Sequence, residues 1–94
     1  MDLVTIHREW DTKLTLAGYD IPAITGPRDA TDAHKVTVVR AWKRAMADAL
    51  SDYALRMAES AKGVDEGKNP ELWADIVNEG FTAVAAAKAI GPIA

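Results

Sequence analysis

The residues that most often perform chemistry are few and scattered in this chain. It has two histidines, His7 and His34, and no cysteine, which excludes disulfides, thiolate zinc sites and thiol catalysis. His7 stands four residues before Asp11, and His34 follows Asp29 and Asp32. Neither group contains the four ligands that a closed, specific metal site needs. We therefore expect no metal and no other cofactor.

Sequence motifs of the common enzyme classes are missing as well. The segment "TGPRDAT", residues 25–31, lacks the glycines and the lysine of a phosphate-binding loop. There is no G-x-S-x-G and no H-E-x-x-H. Asp48 and Asp52 could pair as two carboxylates, but they fall on the polar face of a predicted helix, where burial would not perturb them. We predict a non-enzymatic protein without catalytic residues or a small-molecule substrate.

A short basic cluster suggests one kind of binding. Arg40, Lys43 and Arg44 occupy one side of a predicted helix, which could lie along phosphates. Against this, Asp48 and Asp52 follow closely, and the whole chain has a net charge of −3 and a pI near 5.2. The connection "AKGVDEGKN" is also longer than the turn of a helix-turn-helix. Nucleic-acid binding through this cluster is therefore the alternative function.

Length and composition indicate one soluble domain spanning residues 1–94. Hydrophobic residues make up 49% of the chain and charged residues 27%, close to globular averages. No apolar stretch approaches the roughly 20 residues of a membrane span, and the N-terminus has no run of signal-peptide type. We expect a cytoplasmic or virion-associated protein that is not secreted through a cleavable signal peptide and does not bind membranes.

Hydrophobic periodicity predicts three helices and no strands. The first spans about residues 2–17 and the third 70–90, and the second begins near residues 29–32, where Asp29, Thr31 and Asp32 could each cap it, and ends at about residue 61. Apolar residues at helical spacing form the core stripe of the first two: Leu3, Ile6, Trp10 and Leu14, then Val39, Trp42, Met46, Ala49, Leu50, Tyr53 and Met57.

The ends of the predicted helices have recognisable signals. Gly18 is placed to stop the first helix, and the loop 18–30 contains Pro22 and Pro27, which exclude a helix there. We expect this loop to pack across the end of the bundle, with a binding role as the alternative. Asn69 and Pro70 suit the start of the third helix, and Gly91 suits its end.

The second helix is too long for a compact molecule of this size. About 30 helical residues span roughly 45 Å. A compact chain of 94 residues has a radius of gyration of about 12 Å and hence a diameter of only ~30–35 Å. No proline or glycine in residues 36–60 would kink this helix. The predicted fold is therefore all-α: an elongated three-helix bundle with one long central helix and a Pro/Gly-containing loop between helices 1 and 2.

The third helix has a wider apolar face than one neighbouring helix needs. Gly80 lies in its interior, where glycine costs about 1 kcal/mol relative to alanine, so a close approach of another helix should offset it. Trp42, Met46 or Tyr53 would fill the space beside it. The predicted protein interface on this helix comprises Trp73, Val77, Gly80, Phe81, Val84 and Ala87.

Together these features favour a protein–protein interaction module. We expect a small helical subunit or adaptor of a larger assembly, with a protein partner and a tendency to form homo-oligomers. Three tryptophans in 94 residues supply side chains typical of interfaces. Structural and accessory proteins of phages and mobile elements are the class that this interpretation suggests.

Overall fold

Three α-helices account for most of the chain. The computed structural model describes residues 3–22 and 32–91, with the backbone alone at 32–34. The helices are α1, Leu3–Leu16, α2, Asp32–Lys62, and α3, Pro70–Ile90, and the described ranges contain no strand. The prediction of an all-α fold with one long central helix is confirmed.

Glycines end two of the helices, as the sequence predicts. Gly18 follows α1 with a φ of +99°, and Gly91 follows α3 with a φ of +77°. A side chain would strain the backbone at such angles, whereas glycine adopts them freely. Gly91 also donates its backbone N–H to the carbonyl oxygen of Lys88, which satisfies part of the last turn of α3.

The turn between α2 and α3 is organised by an aspartate that the sequence analysis did not single out. The Asp65 carboxylate accepts hydrogen bonds from the backbone N–H groups of Gly67 at 2.9 Å and Lys68 at 3.2 Å. Asn69 occupies the predicted N-cap position of α3, but its side chain makes no capping hydrogen bond. Pro70 is the first residue of the helix, where its missing N–H costs nothing.

The two longer helices form an antiparallel hairpin, which we call the α2–α3 hairpin. They pack against each other along much of their length. The radius of gyration is 15.6 Å and the principal extents are 56, 23 and 17 Å. Because a compact chain of this length would have a radius of gyration of about 12 Å, the predicted elongation is confirmed.

The first helix covers one side of the α2–α3 hairpin. Ile6, Trp10 and Leu14 of α1 are buried in the core shared with the other two helices. Trp10 meets the ring of Tyr53 edge-on, with centroids 5.7 Å apart. The α1 backbone has few close approaches to α2, so its large side chains fill the space between them. The attachment of α1 therefore depends on those side chains.

Polar groups connect all three helices beside this core. The Lys13 ammonium donates a hydrogen bond of 2.6 Å to the Glu79 carboxylate and lies 4.7 Å from the Trp10 ring centroid. The Tyr53 hydroxyl donates to the same carboxylate at 3.4 Å. These contacts join α1 and α2 to a single acidic side chain on α3.

The residues that follow α1 are held against α2. The Tyr19 hydroxyl donates a hydrogen bond to the Asp52 carboxylate, and Arg56 donates to the carbonyl oxygen of Ala17 at 3.1 Å. Arg56 also pairs with Asp52 at 3.3 Å, and Ile21 packs against the core. The start of the predicted loop therefore packs on the side of α2 at Asp52 and Arg56, not across the end of the bundle. Pro22 is the last described residue of loop 18–30, and the rest of the loop, with Pro27 and Asp29, lies outside the described residues.

We predict that stability at alkaline pH depends on Tyr53. Desolvation, and then the charge of Glu79, raise the pKa of Tyr53 above its ordinary value of 10.0. The folded state thus favours the neutral phenol, and this stabilisation is complete below pH 10 and lost as the pH rises through the folded-state pKa. Tyr53→Phe should therefore lose less stability between pH 9 and pH 11 than the wild type, by urea unfolding.

A second variant separates this effect from a nearby tyrosine. The pKa of Tyr19 is also raised, first by desolvation and then by its hydrogen bond to Asp52. Tyr19→Phe with Tyr53→Phe should therefore flatten the alkaline dependence further than Tyr53→Phe alone. If Tyr53→Phe and the wild type lose stability equally over this range, the phenol of Tyr53 is not coupled to folding.

Candidate protein-binding site

An open apolar groove of about 530 Å³ runs between α2 and α3. It lies on the side of α2 away from α1. Tyr53 of α2 contacts Trp10 of α1, and Leu55, which lines the groove, is two residues further along and therefore on the opposite face of the helix. We call this feature the groove. Its lining comprises Ser51, Ala54, Leu55 and Ala58 of α2 and Val77, Gly80, Phe81 and Val84 of α3.

The large side chains of the groove are exposed to solvent. Phe81 is 69% exposed, Leu55 66% and Val84 38%. Single exposed hydrophobic residues are ordinary on protein surfaces. Here three of them line one concavity together with alanines and a glycine, and such contiguous apolar patches usually mark interaction sites.

Gly80 lets the two walls of the groove approach each other closely. A Cβ atom at this position would lie 3.3 Å from the Cβ of Met57 and 3.7 Å from the carbonyl oxygen of Ala54. The close approach that the sequence predicts at Gly80 is therefore present, and the neighbour is α2 of the same chain. The side chain opposite is Met57. The three predicted neighbours lie elsewhere: Trp42 and Met46 are buried in the core, and Tyr53 packs against Trp10 of α1.

The structure brings together four of the six residues predicted as a protein interface. Val77, Gly80, Phe81 and Val84 line the groove. Of the other two, Ala87 packs against the core, and Trp73 is partly buried outside the groove lining. The proposed contact surface on α3 is therefore narrower than the sequence suggests.

The other wall of the groove was missed by the sequence analysis. Ser51, Ala54, Leu55 and Ala58 come from α2, whose predicted core stripe lies elsewhere. One signal was available: Leu55 is a large apolar residue between Asp52 and Glu59, on the face expected to be polar. Alanines carry little information by themselves, because they suit any face of a helix.

The predicted basic cluster lies on α2 before the groove. Arg40 and Arg44 are exposed and Lys43 is partly buried. Among the ion pairs of residues 3–22 and 35–91, none involves these three side chains. Arg44, Ser51 and Ala58 follow at seven-residue intervals, so Arg44 continues one stripe of the groove towards the start of α2.

The histidine whose side chain is described lies away from the groove. His7 packs edge-on against Trp42, with ring centroids 6.1 Å apart, and its Nδ1 is 3.9 Å from an Asp11 oxygen. This nitrogen and the Trp42 indole nitrogen are buried without a hydrogen-bond partner. Within the described part of the chain, no group of three or more His, Cys, Asp or Glu residues could hold a metal ion.

Two further findings bear on classification. None of the described helices combines the length and the apolar character needed to cross a membrane. Comparison of the chain with models of protein families, with curated proteins and with solved structures finds no match.

Proposed function

We propose that this protein is a non-enzymatic protein–protein interaction module, a helical subunit or adaptor that binds a partner through the groove. The observation that supports this most directly is the exposure of Phe81, Leu55 and Val84 in one concavity. Removing such side chains from water is favourable by about 25 cal/mol for each Å² of apolar surface, and this gain opposes the entropy lost when two molecules associate.

The walls of the groove are suited to receive a helix. They are two antiparallel helices whose close approach at Gly80 makes a shallow, regular trough. An amphipathic helix binds such a trough through apolar residues three and four positions apart. The opposite side of the α2–α3 hairpin is already covered by α1, which leaves this side for a partner.

The chemistry of the lining favours binding over catalysis. Of the eight lining residues, Ser51 is the one with a polar side chain, and none is titratable. Catalytic pockets instead combine an apolar wall with several convergent polar groups. A groove of this composition can exclude water from a partner's apolar side chains but offers no group that transfers a proton.

The alternative, nucleic-acid binding, has support from Arg40, Lys43 and Arg44 but not from their surroundings. The three cations lie on one stretch of α2, where they could meet phosphates. The same face continues into Asp48 and then into the apolar groove. A phosphate backbone would have no favourable contact with that surface, so we favour a protein partner.

Site-specific photocrosslinking in the cells that make this protein tests the proposal. Phe81 is replaced by the photoreactive benzoylphenylalanine, and Leu16 on α1, which is 84% exposed outside the groove, serves as the matched control. We expect discrete crosslinked protein species from position 81 that are absent from position 16. Adding Leu55→Lys should remove them, because a charge then enters the apolar wall.

The opposite pattern would contradict the proposed function. If position 81 gives no crosslink to any protein, or if both positions give the same diffuse products, the groove has no specific protein partner.

A further inference from the structure

The α2–α3 hairpin has charges of opposite sign at its two ends. Gly80 lies level with Ala54 and Met57, so residues 35–55 of α2 and 80–91 of α3 form one end, and they contain five basic and two acidic residues. Residues 56–79, which form the other end and the turn, contain six acidic and three basic residues. The basic residues of the first end are Lys35, Arg40, Lys43, Arg44 and Lys88.

This asymmetry bears on how two copies could meet across the groove. If the two-fold axis ran parallel to the helices, each basic end would face the basic end of the other copy. If the axis ran perpendicular to the helices, each basic end would face an acidic end. Like charges that face each other weaken binding, whereas opposite charges that face each other speed association. The charge distribution therefore favours the perpendicular axis.

We propose that the occupant of the groove is a second copy of this chain, packed antiparallel about a two-fold axis perpendicular to α2 and α3. The result is a four-helix arrangement of two hairpins, with α1 of each copy on the outside. This inference rests on the proposed function, since it names the partner of the same surface.

The spacing of residues on α2 fits this arrangement. Asp48, Leu55 and Lys62 recur at intervals of seven residues and therefore lie on one stripe of the helix. With the axis at Leu55, each Leu55 meets its counterpart, and Asp48 of one copy lies level with Lys62 of the other.

The size of the surface is sufficient for a specific dimer. The 21 residues of α3 span about 30 Å, and two adjacent helices are about 20 Å wide, so each copy would bury on the order of 600 Å². The total area buried by the two copies, about 1,200 Å², is at the lower limit of stable interfaces. Interfaces of this size are typical of weak, transient complexes, so we expect the dimer to dissociate on dilution.

Molar mass in solution tests the dimer directly. Light scattering on a sizing column, over concentrations that span the micromolar range, should show a mass approaching twice the 10.1 kDa of the chain. Leu55→Lys should weaken the dimer at least about tenfold, because two ammonium groups would meet at the axis. Leu16→Lys, the same substitution at an exposed position on α1 outside the groove, should leave the mass unchanged, and circular dichroism should show all three proteins folded.

A charge swap tests the orientation. Asp48→Lys should weaken the dimer about tenfold, because it places like charges together at two symmetric positions. Asp48→Lys combined with Lys62→Asp should restore the wild-type affinity, since each altered position again faces its opposite charge. In a dimer with the axis parallel to the helices, Asp48→Lys would not weaken association and the combination would restore nothing.

The outcomes separate this inference from the proposed function. A wild-type mass of 10.1 kDa at every concentration overturns the dimer. If photocrosslinking at Phe81 then yields a complex with a different protein, the proposed function stands with another partner. If it yields only crosslinks within one chain, a segment of the chain itself occupies the groove, and both proposals fail.

Discussion

Trp10→Ala is expected to lower the free energy of unfolding by about 3–5 kcal/mol, a large part of the roughly 5–15 kcal/mol typical of a small domain. Trp10 is 2% exposed and is the largest of the three α1 side chains in the core. Its truncation leaves a cavity and removes the edge-on contact with the Tyr53 ring. It also removes the ring beneath the Lys13 ammonium, which pairs with Glu79.

The effect should be large because α1 has few other points of attachment. Its backbone has few close approaches to α2, and its neighbours in the core are Ile6 and Leu14. Truncating the middle of this three-residue contact therefore weakens the docking of the whole helix. Urea unfolding followed by circular dichroism measures the change, and a lower midpoint with loss of helical signal is the expected observation.

A matched variant on the same helix controls for helix propensity. Leu16→Ala removes a large side chain that is 84% exposed, and we expect its effect to stay within about 0.5 kcal/mol. If Trp10→Ala and Leu16→Ala destabilise the protein equally, α1 is not held by its buried stripe.

Gly80→Leu is expected to lower the free energy of unfolding by about 1–3 kcal/mol and to abolish binding in the groove. The first side-chain carbon would lie 3.3 Å from the Cβ of Met57, and Met57 or α3 must shift to accept it. The remaining atoms of the leucine would occupy the groove that Gly80 lines. Leucine forms helices better than glycine by less than about 1 kcal/mol, which offsets part of this cost.

Gly80→Ala separates the close approach from the groove. Its single methyl group needs a shift of a few tenths of an ångström at Met57, and the gain in helix propensity of about 1 kcal/mol should largely cancel that cost. We expect Gly80→Ala to remain within about 1 kcal/mol of the wild type and to keep photocrosslinking at Phe81. A Gly80→Leu protein with wild-type stability and wild-type crosslinking would contradict the assignment of this groove.

Local patterns in the sequence were sufficient for the fold class and for the helix ends. Trp42, Met46 and Leu50 recur at helical spacing and are buried in α2 as predicted. Gly18 and Gly91 end their helices because glycine alone adopts a positive φ without strain. The elongated shape also followed, since a helix of 31 residues without proline or glycine in its interior cannot fit a compact molecule.

The candidate site was only half visible in the sequence. The wide apolar arc of α3 indicated that Val77, Phe81 and Val84 needed a further neighbour. Their counterparts on α2, Ala54 and Ala58, could not be found in this way, because alanine is compatible with core, interface and solvent alike.

The sequence by itself thus determined the number, length and ends of the helices, because these depend on interactions between residues close in the chain. Only the tertiary structure decided which face of α2 meets α3 and which side of the α2–α3 hairpin α1 covers. Those choices depend on side chains distant in sequence, such as Gly80 against Met57 and Trp10 against Tyr53. Once α1 occupies one side, Leu55 and Phe81 remain exposed on the other, and that exposure defines the groove.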